Sequence, residues 1–186
     1  MSRAGVTIER IVDIAAEIAD QSGYACLTLA RIAEACGVRP ASLYKHVESL
    51  ADVQHRLATR AMTELGEEIR DSLLGVSGRA ALAALAHVTR RYVRAHPGRY
   101  TATIGATFTG PDDPLLAAST RVIETITAVL RGYGLPDPEV VHAIRAIRCA
   151  LHGYAVLEAT GGFQWGGDLE ESLDWMVACI DRGLTR

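Results

Sequence analysis

Apolar residues recur at the spacing of an α-helix along almost the whole chain, and no segment shows the apolar–polar alternation of a half-buried strand. Residues 7–22 are typical, because their apolar side chains fall at i, i+3, i+4 and i+7 and the pattern stops at Gly23. A chain with this periodicity buries its apolar stripes by packing helix on helix. The sequence therefore predicts an all-α fold.

Breaks that contain glycine or proline divide this pattern into about nine helices. The predicted helices span residues 7–22, 29–36, 40–47, 49–74, 79–95, 99–106, 115–133, 137–160 and 168–182. Thr28 and Asp168 have the side chains of N-caps, and Gly37 stands where a helix is expected to end. With 186 residues, 49% of them hydrophobic, the chain is long enough for an N-terminal head of residues 1–55 and a body of residues 56–186.

The most specific pattern lies in residues 28–50. Two short helices joined by a glycine-containing turn are typical of a helix-turn-helix, whose second helix enters the major groove of DNA. Six residues are spaced to fill the small core between these helices: Leu29, Ile32, Ala33, Val38, Leu43 and Val47. The exposed residues of the second helix are then expected to face the groove: Pro40, Ala41, Ser42, Tyr44, Lys45 and His46.

The same stretch resembles the head of the TetR family of bacterial transcriptional regulators. The resemblance covers about residues 7–57 and rests on residues 28–33, on Gly37-Val38 and on the sequence Leu43-Tyr44-Lys45-His46-Val47. It implies that Tyr44 and His46 touch the phosphate backbone or edge bases, that Lys45, Ser42 and Ala41 are candidate base readers, and that Thr28 and Arg39 are backbone contacts. The family usually has a phosphate-binding Lys where this chain has Leu50.

The formal net charge of −3 argues against a protein that coats nucleic acid without specificity, but it permits a small DNA-reading surface. Residues 1–60 hold seven basic and seven acidic residues, so this N-terminal segment is neutral. No run reaches the roughly 18 apolar residues of a membrane span. The N-terminal residues also lack the apolar stretch of a secretory signal. We therefore expect a cytoplasmic protein with no membrane partner.

The body has no pattern typical of catalysis or metal binding. Its histidines lack His-Glu-x-x-His spacing, its glycines lack nucleotide-binding spacing, and no serine lies in a nucleophile elbow. We expect no enzyme activity, no cofactor and no metal site. Four cysteines, Cys26, Cys36, Cys149 and Cys179, lie ten or more residues apart, which predicts buried free thiols. Redox sensing by Cys149 and Cys179 is the alternative.

Aromatic and polar side chains of the body are dispersed over several helices and a loop, as in the lining of a cavity between helices. The candidate effector residues are Tyr92, Tyr100, Phe108, Tyr133, His152, Phe163 and Trp165. Plain core packing is the alternative for these residues.

The last two helices are apolar over more than one stripe, which indicates burial on more than one side. This pattern predicts a four-helix bundle built from two such helices of each copy in a two-fold dimer. The candidate interface residues are Ile144, Ile147, Leu151, Tyr154, Leu173, Met176, Val177 and Ile180. Burial within a single chain is the alternative.

From about residue 95 to 184 the chain also resembles a regulatory domain of part of the TetR family, which is named for a Trp-His-Gly motif. The resemblance rests on His96-Pro97 with Tyr100, on His152-Gly153-Tyr154 and on Gly162-Phe163, while Leu151 replaces the Trp of the motif. Together the two resemblances imply a homodimeric repressor that binds a palindromic double-stranded DNA operator and is released by a small-molecule effector. The alternatives are an activator or effector-independent regulator of the same fold, and an all-α interaction module or enzyme.

Overall fold

The structure is a computed structural model and describes residues 6–185; residues 1–5 and 186, with which the two predicted domains begin and end, lie outside the described residues. Within residues 6–185 the chain forms nine α-helices, a 3-10 turn at Tyr24–Cys26 and no strand, which confirms the predicted all-α fold. The helices are α1 (Ile8–Ser22), α2 (Leu29–Ala35), α3 (Pro40–Leu43), α4 (Leu50–Ser72), α5 (Gly78–Ala95), α6 (Pro97–Ala102), α7 (Pro114–Arg131), α8 (Asp137–Ala159) and α9 (Leu169–Leu184).

The chain divides into two compact units. The N-terminal unit comprises Met1–Met62 with His96–Leu116, and the C-terminal unit comprises Thr63–Ala95 with Ala117–Arg186. The predicted division after residue 55 differs from this one in two respects. The N-terminal unit continues into helix α4, and it also includes residues 96–116, which the sequence assigned to the body.

Helix α6 belongs to the N-terminal unit because it packs on α1. At Gly98 the backbone of α6 lies so close to α1 that an added β-carbon would overlap the carbonyl group of Ala19. The carboxylate of Asp20 accepts a hydrogen bond from the Arg99 backbone N–H at 2.9 Å, and Arg99 Nε lies 2.8 Å from Asp20 Oδ2. His96 Nδ1 lies 3.3 Å from the same oxygen. These contacts anchor α6 to the C-terminal turn of α1.

A second anchor holds the start of α7 in the N-terminal unit. The buried carboxylate of Asp113 accepts hydrogen bonds from the Leu115 N–H at 2.8 Å, the Thr109 N–H at 2.7 Å and the Thr109 hydroxyl at 3.0 Å. His55 Nε2 on α4 lies 2.9 Å from Asp113 Oδ1. Burial alone would raise the pKa of Asp113, but these hydrogen bonds outweigh burial and hold that pKa well below its usual range.

In the C-terminal unit, α5 packs against both α8 and α9. The Arg90 guanidinium of α5 is largely buried and pairs with Glu158 through two hydrogen bonds, of 2.6 and 2.8 Å, and with Glu170. The bond to Glu158 is the main reason that the pKa of Arg90 lies above its usual value. His87 lies 3.0 Å from Glu170 and 2.9 Å from Asp174. Paired charges of opposite sign therefore join three helices of this unit.

The cysteines are free, as predicted, but the prediction that they are buried is wrong. Cys26 and Cys149 are exposed, and Cys36 and Cys179 are half-buried. Helix periodicity places Cys149 on the side of α8 away from α5, where small apolar residues face outward. Partial burial raises the pKa of the Cys36 thiol, which disfavours its reactive thiolate form.

Candidate nucleic-acid interface and assembly surface

The turn between α2 and α3 is fixed by backbone hydrogen bonds. Gly37 has φ of 68°, its N–H donates to Glu34 O at 2.9 Å, and the Val38 N–H donates to Ala33 O at 2.9 Å. This pair of bonds is a Schellman motif, in which glycine accepts the left-handed conformation without strain. At the other end of α2, the Thr28 hydroxyl accepts a hydrogen bond from the Arg31 N–H at 3.2 Å. Both predicted end signals of α2 are therefore present.

The predicted core of the helix-turn-helix is present as well. Ile32, Ala33, Leu43 and Val47 are buried, and Leu29 and Val38 are half-buried against the same cluster. Helix α3 ends earlier than predicted, at Leu43, because the N–H groups of His46 and Val47 both donate to the Leu43 carbonyl, at 2.8 and 3.0 Å. Residues 44–46 consequently lie in a turn that continues from α3.

The structure brings the eight predicted DNA-contact residues to one region of the N-terminal unit. Six of them are exposed: Thr28, Arg39, Pro40, Ala41, Tyr44 and Lys45; the other two, Ser42 and His46, are half-buried. Tyr44 keeps 60% of its surface exposed. Among the described residues, the side chains of Arg39, Tyr44 and Lys45 make no hydrogen bond or ion pair. These phenol and cationic groups are available to a ligand.

Leu50 does not substitute for a phosphate-binding lysine. It is the first residue of α4 and packs, half-buried, against the core of the N-terminal unit. The start of α4 is instead capped locally, because Ser49 Oγ accepts from the Asp52 N–H and Asp52 accepts from the Glu48 N–H, both at 3.1 Å.

The seven candidate effector residues are divided between the two units. Tyr100 and Phe108 lie in the N-terminal unit, where Tyr100 is buried and Phe108 is exposed. In the C-terminal unit, Phe163 and Trp165 line an open cavity of about 490 Å³ at the loop between α8 and α9. Tyr92, Tyr133 and His152 do not line that cavity.

Tyr92 and Tyr133 have hydrogen-bond partners within the C-terminal unit. The buried Tyr92 donates its hydroxyl hydrogen to Glu64 at 3.0 Å, which links α5 to α4. Tyr133 donates to Asp181 of α9 at 2.7 Å, and burial together with this bond raises the pKa of Tyr133 above its usual range. Both side chains therefore contribute to packing of the C-terminal unit.

The predicted dimer interface lies mostly on the inward stripes of the last two helices. Five of its eight residues are buried inside the C-terminal unit: Ile147, Leu151, Tyr154, Leu173 and Val177; the remaining three, Ile144, Met176 and Ile180, are half-buried. The reason is that α8 and α9 turn their most apolar stripes toward α5 and toward each other. Side chains already buried in this way are not available to a second copy.

A different apolar surface remains uncovered on these helices, and we call it the outward face. On α8 it contains small residues at Ala146, Cys149 and Gly153, followed by Leu157, all exposed except the half-buried Gly153. On α9 it contains Trp175, which keeps 69% of its surface exposed. This face was not predicted from the sequence. The signal that could have indicated it is the second apolar stripe of both helices.

Helix α8 is also long and apolar enough to cross a membrane by length and composition alone. Only 22% of its most apolar 18-residue window is buried within the described structure. The same helix has Arg145 and Arg148 exposed in its middle, and charged side chains at that depth are costly in a bilayer.

Comparison with known proteins agrees with the helix-turn-helix. Residues 11–49 match the model described as bacterial regulatory proteins, tetR family, and residues 82–180 match the tetracyclin repressor-like C-terminal domain. The HTH-type transcriptional regulator YobS of Bacillus subtilis (strain 168) is 35% identical over 184 residues, which cover 98% of this chain and 94% of that protein. The HTH-type transcriptional repressor DrrR1 of Streptomyces coeruleorubidus is 32% identical over 81% of this chain and 52% of that protein.

A solved structure with a similar fold is a TetR variant from Acinetobacter baumannii AYE in complex with minocycline. Its TM-score is 0.71 at 19% identity, and the match covers 96% of both chains. The relatives are transcriptional regulators rather than enzymes. On the two domain matches and the full-length relative, the chain belongs to the TetR family of bacterial transcriptional regulators.

Proposed function

We propose that this protein is a cytoplasmic repressor that binds a palindromic operator as a homodimer and releases it when a small-molecule effector binds. Regulators of the TetR family bind DNA and small-molecule effectors and act as dimers. The name of the relative DrrR1 supports repression rather than activation. The observation that carries the proposal is the helix-turn-helix with Arg39, Tyr44 and Lys45 exposed and unpaired among the described residues.

The chemistry of these side chains suits a DNA backbone and base edges. Lys45 supplies a flexible point charge, and the Tyr44 hydroxyl can donate to a phosphate oxygen. The Thr28 hydroxyl oxygen already accepts a hydrogen bond from the Arg31 N–H, so the hydroxyl hydrogen can be donated to a second phosphate. In a two-fold dimer, two such heads contact successive major grooves when they are about 34–36 Å apart.

DNA fragments selected from the source genome by the wild-type protein provide the operator for a test. Tyr44→Ala and Lys45→Ala are each expected to weaken operator binding about 10-fold, because each removes one contact of about 1–3 kcal/mol. Fluorescence anisotropy at fixed salt measures this change. Arg121→Ala, which removes an exposed charge of the C-terminal unit, is the charge-matched control and is expected to bind normally. Wild-type affinity in both head variants would contradict the assignment.

We further propose that the effector acts through the C-terminal unit. The bound minocycline in the related structure supports a small molecule, and the hydrogen bond between Tyr92 and Glu64 gives this unit a polar pair at which a ligand can exchange partners. A coupling of about 1–3 kcal/mol lowers operator affinity roughly 5- to 150-fold. Such a ligand raises the melting temperature of the free protein and displaces the operator, and Tyr92→Phe is expected to weaken both effects.

A further inference from the structure

Both tryptophans of this chain are exposed, and one of them is almost uncovered. Trp165, in the loop between α8 and α9, keeps 95% of its surface exposed, and Trp175 keeps 69%. A packed indole removes about 150–250 Å² of surface from water, so each exposed indole leaves apolar area that a partner can cover.

The loop that presents Trp165 is held in place at its start. The Gly162 N–H donates to Leu157 O at 2.6 Å, and an added β-carbon at Gly162 would lie 2.8 Å from the Leu157 side chain. The Phe163 ring packs on Tyr154 with ring centroids 5.1 Å apart. Trp165 therefore extends from a loop that is anchored at Gly162 and Phe163.

The cavity beside Trp165 continues into the outward face of α9. Leu169 and Ser172 form its wall on α9. Met176 and Cys179 follow Ser172 at helical spacing and are half-buried, so one stripe of α9 runs from the cavity to the surface near Trp175. The apolar stripe of α9 therefore extends from the cavity toward Trp175.

A second copy of this chain offers a complementary surface. If the outward faces of two α8 helices meet antiparallel about a two-fold axis, the C-terminal end of each α8 lies beside the first turns of the other. Those turns expose Pro138, Val141 and His142, and Val141 keeps 48% of its surface exposed. They offer apolar surface of the kind that an indole covers.

We propose that the loop of residues 161–167 is a docking arm, in which Trp165 and the adjacent cavity receive the first turns of α8, at Pro138 and Val141, of a second copy. This inference rests on the homodimer proposed above. It adds to the dimer a contact outside the two paired α8 helices, and it makes the dimer dependent on the side chain of Trp165.

Trp165 can be observed by itself in the variant Trp175→Phe, because the chain has two tryptophans. In the dimer we expect the emission maximum of Trp165 to lie at a shorter wavelength than in the monomer. We also expect acrylamide to quench this emission several-fold more weakly in the dimer than after dilution to monomer. Adding Val141→Glu is expected to restore strong quenching. Adding Ile123→Glu, a change on α7 at the similarly exposed residue Ile123 (49%), is expected to leave quenching unchanged.

Light scattering on the same samples separates this proposal from the dimer itself. A dimeric mass with Trp165 as quenchable as in the unfolded chain would overturn the docking arm and leave the dimer intact. A monomeric mass at every concentration would overturn both. Protection of Trp165 that survives Val141→Glu, or that arises only when a small aromatic ligand is added, would overturn the assigned occupant.

Discussion

Gly98 is the residue at which two helices of the N-terminal unit come closest together. We expect Gly98→Ala to destabilise the protein by more than about 3 kcal/mol, because the added methyl group meets backbone atoms of Ala19 that cannot rotate away, unlike the side chains of ordinary overpacked sites. Chemical denaturation of full-length protein measures the change. Gly110→Ala is the control, since nothing lies within 4 Å of a β-carbon there. Equal stability of the two variants would contradict the close contact.

Residues whose roles depend on near neighbours could be recognised from the sequence, whereas residues whose contacts are distant in the sequence could not. Thr28 and Gly37 follow capping rules that depend on residues up to five positions away, and both act as predicted. Gly98 and Asp20 have no such signal, because the residues that they contact lie more than 70 positions away. The exposure of Tyr44 and Lys45 followed from periodicity, whereas their contacts with DNA stay a prediction.

Helix α7 depends on the buried carboxylate of Asp113 at its start. Because hydrogen bonds hold the pKa of this carboxyl below its unfolded value, it stabilises the fold above the unfolded pKa, near about 4, and this stabilisation is lost as pH falls through the folded pKa. We expect Asp113→Asn to lower the melting temperature at pH 7 and the difference from wild type to shrink below about pH 4. Calorimetry from pH 7 to 3 measures both. A difference that grows on acidification would refute this account.

The existence of every predicted helix is confirmed, but periodicity did not determine which face of each long helix turns inward. Helices α8 and α9 each have two apolar stripes, and the pattern does not say which stripe faces α5. The buried pair of Arg90 and Glu158 settles the matter in the structure, because it fixes the side of α8 that faces inward. That pair joins residues 68 positions apart, so no local pattern marks it.

The assembly of two copies can be tested at Gly153, within the outward face of α8. A β-carbon there has open space in the protomer, so Gly153→Gln is expected to leave the folded protomer intact and to add about 0.5–1 kcal/mol of helix propensity. In the proposed dimer the new side chain lies between two helices. We expect the dimer dissociation constant to rise at least about 10-fold, as measured by sedimentation equilibrium.

Ala128→Gln, at an exposed position of α7, is the matched control for this change. Undiminished dimerisation of the Gly153 variant would place the interface elsewhere on the molecule. The division into two units was not readable from local pattern either. Residues 96–116 join the N-terminal unit through contacts with α1 and α4, which the break between helices at His96-Pro97 does not indicate.

Leu50 has a consequence for how such a protein searches a genome. Its side chain packs against the hydrophobic core, so each proposed head lacks the phosphate contact that the resemblance to the TetR family implies at this position. Each phosphate contact contributes about 0.9 to the salt dependence of log K, and the same contacts sustain sliding along arbitrary sequence. A dimer that lacks two of them spends less time on unrelated DNA and returns to solution sooner. Its search then relies more on three-dimensional diffusion between sites than on one-dimensional travel along the duplex.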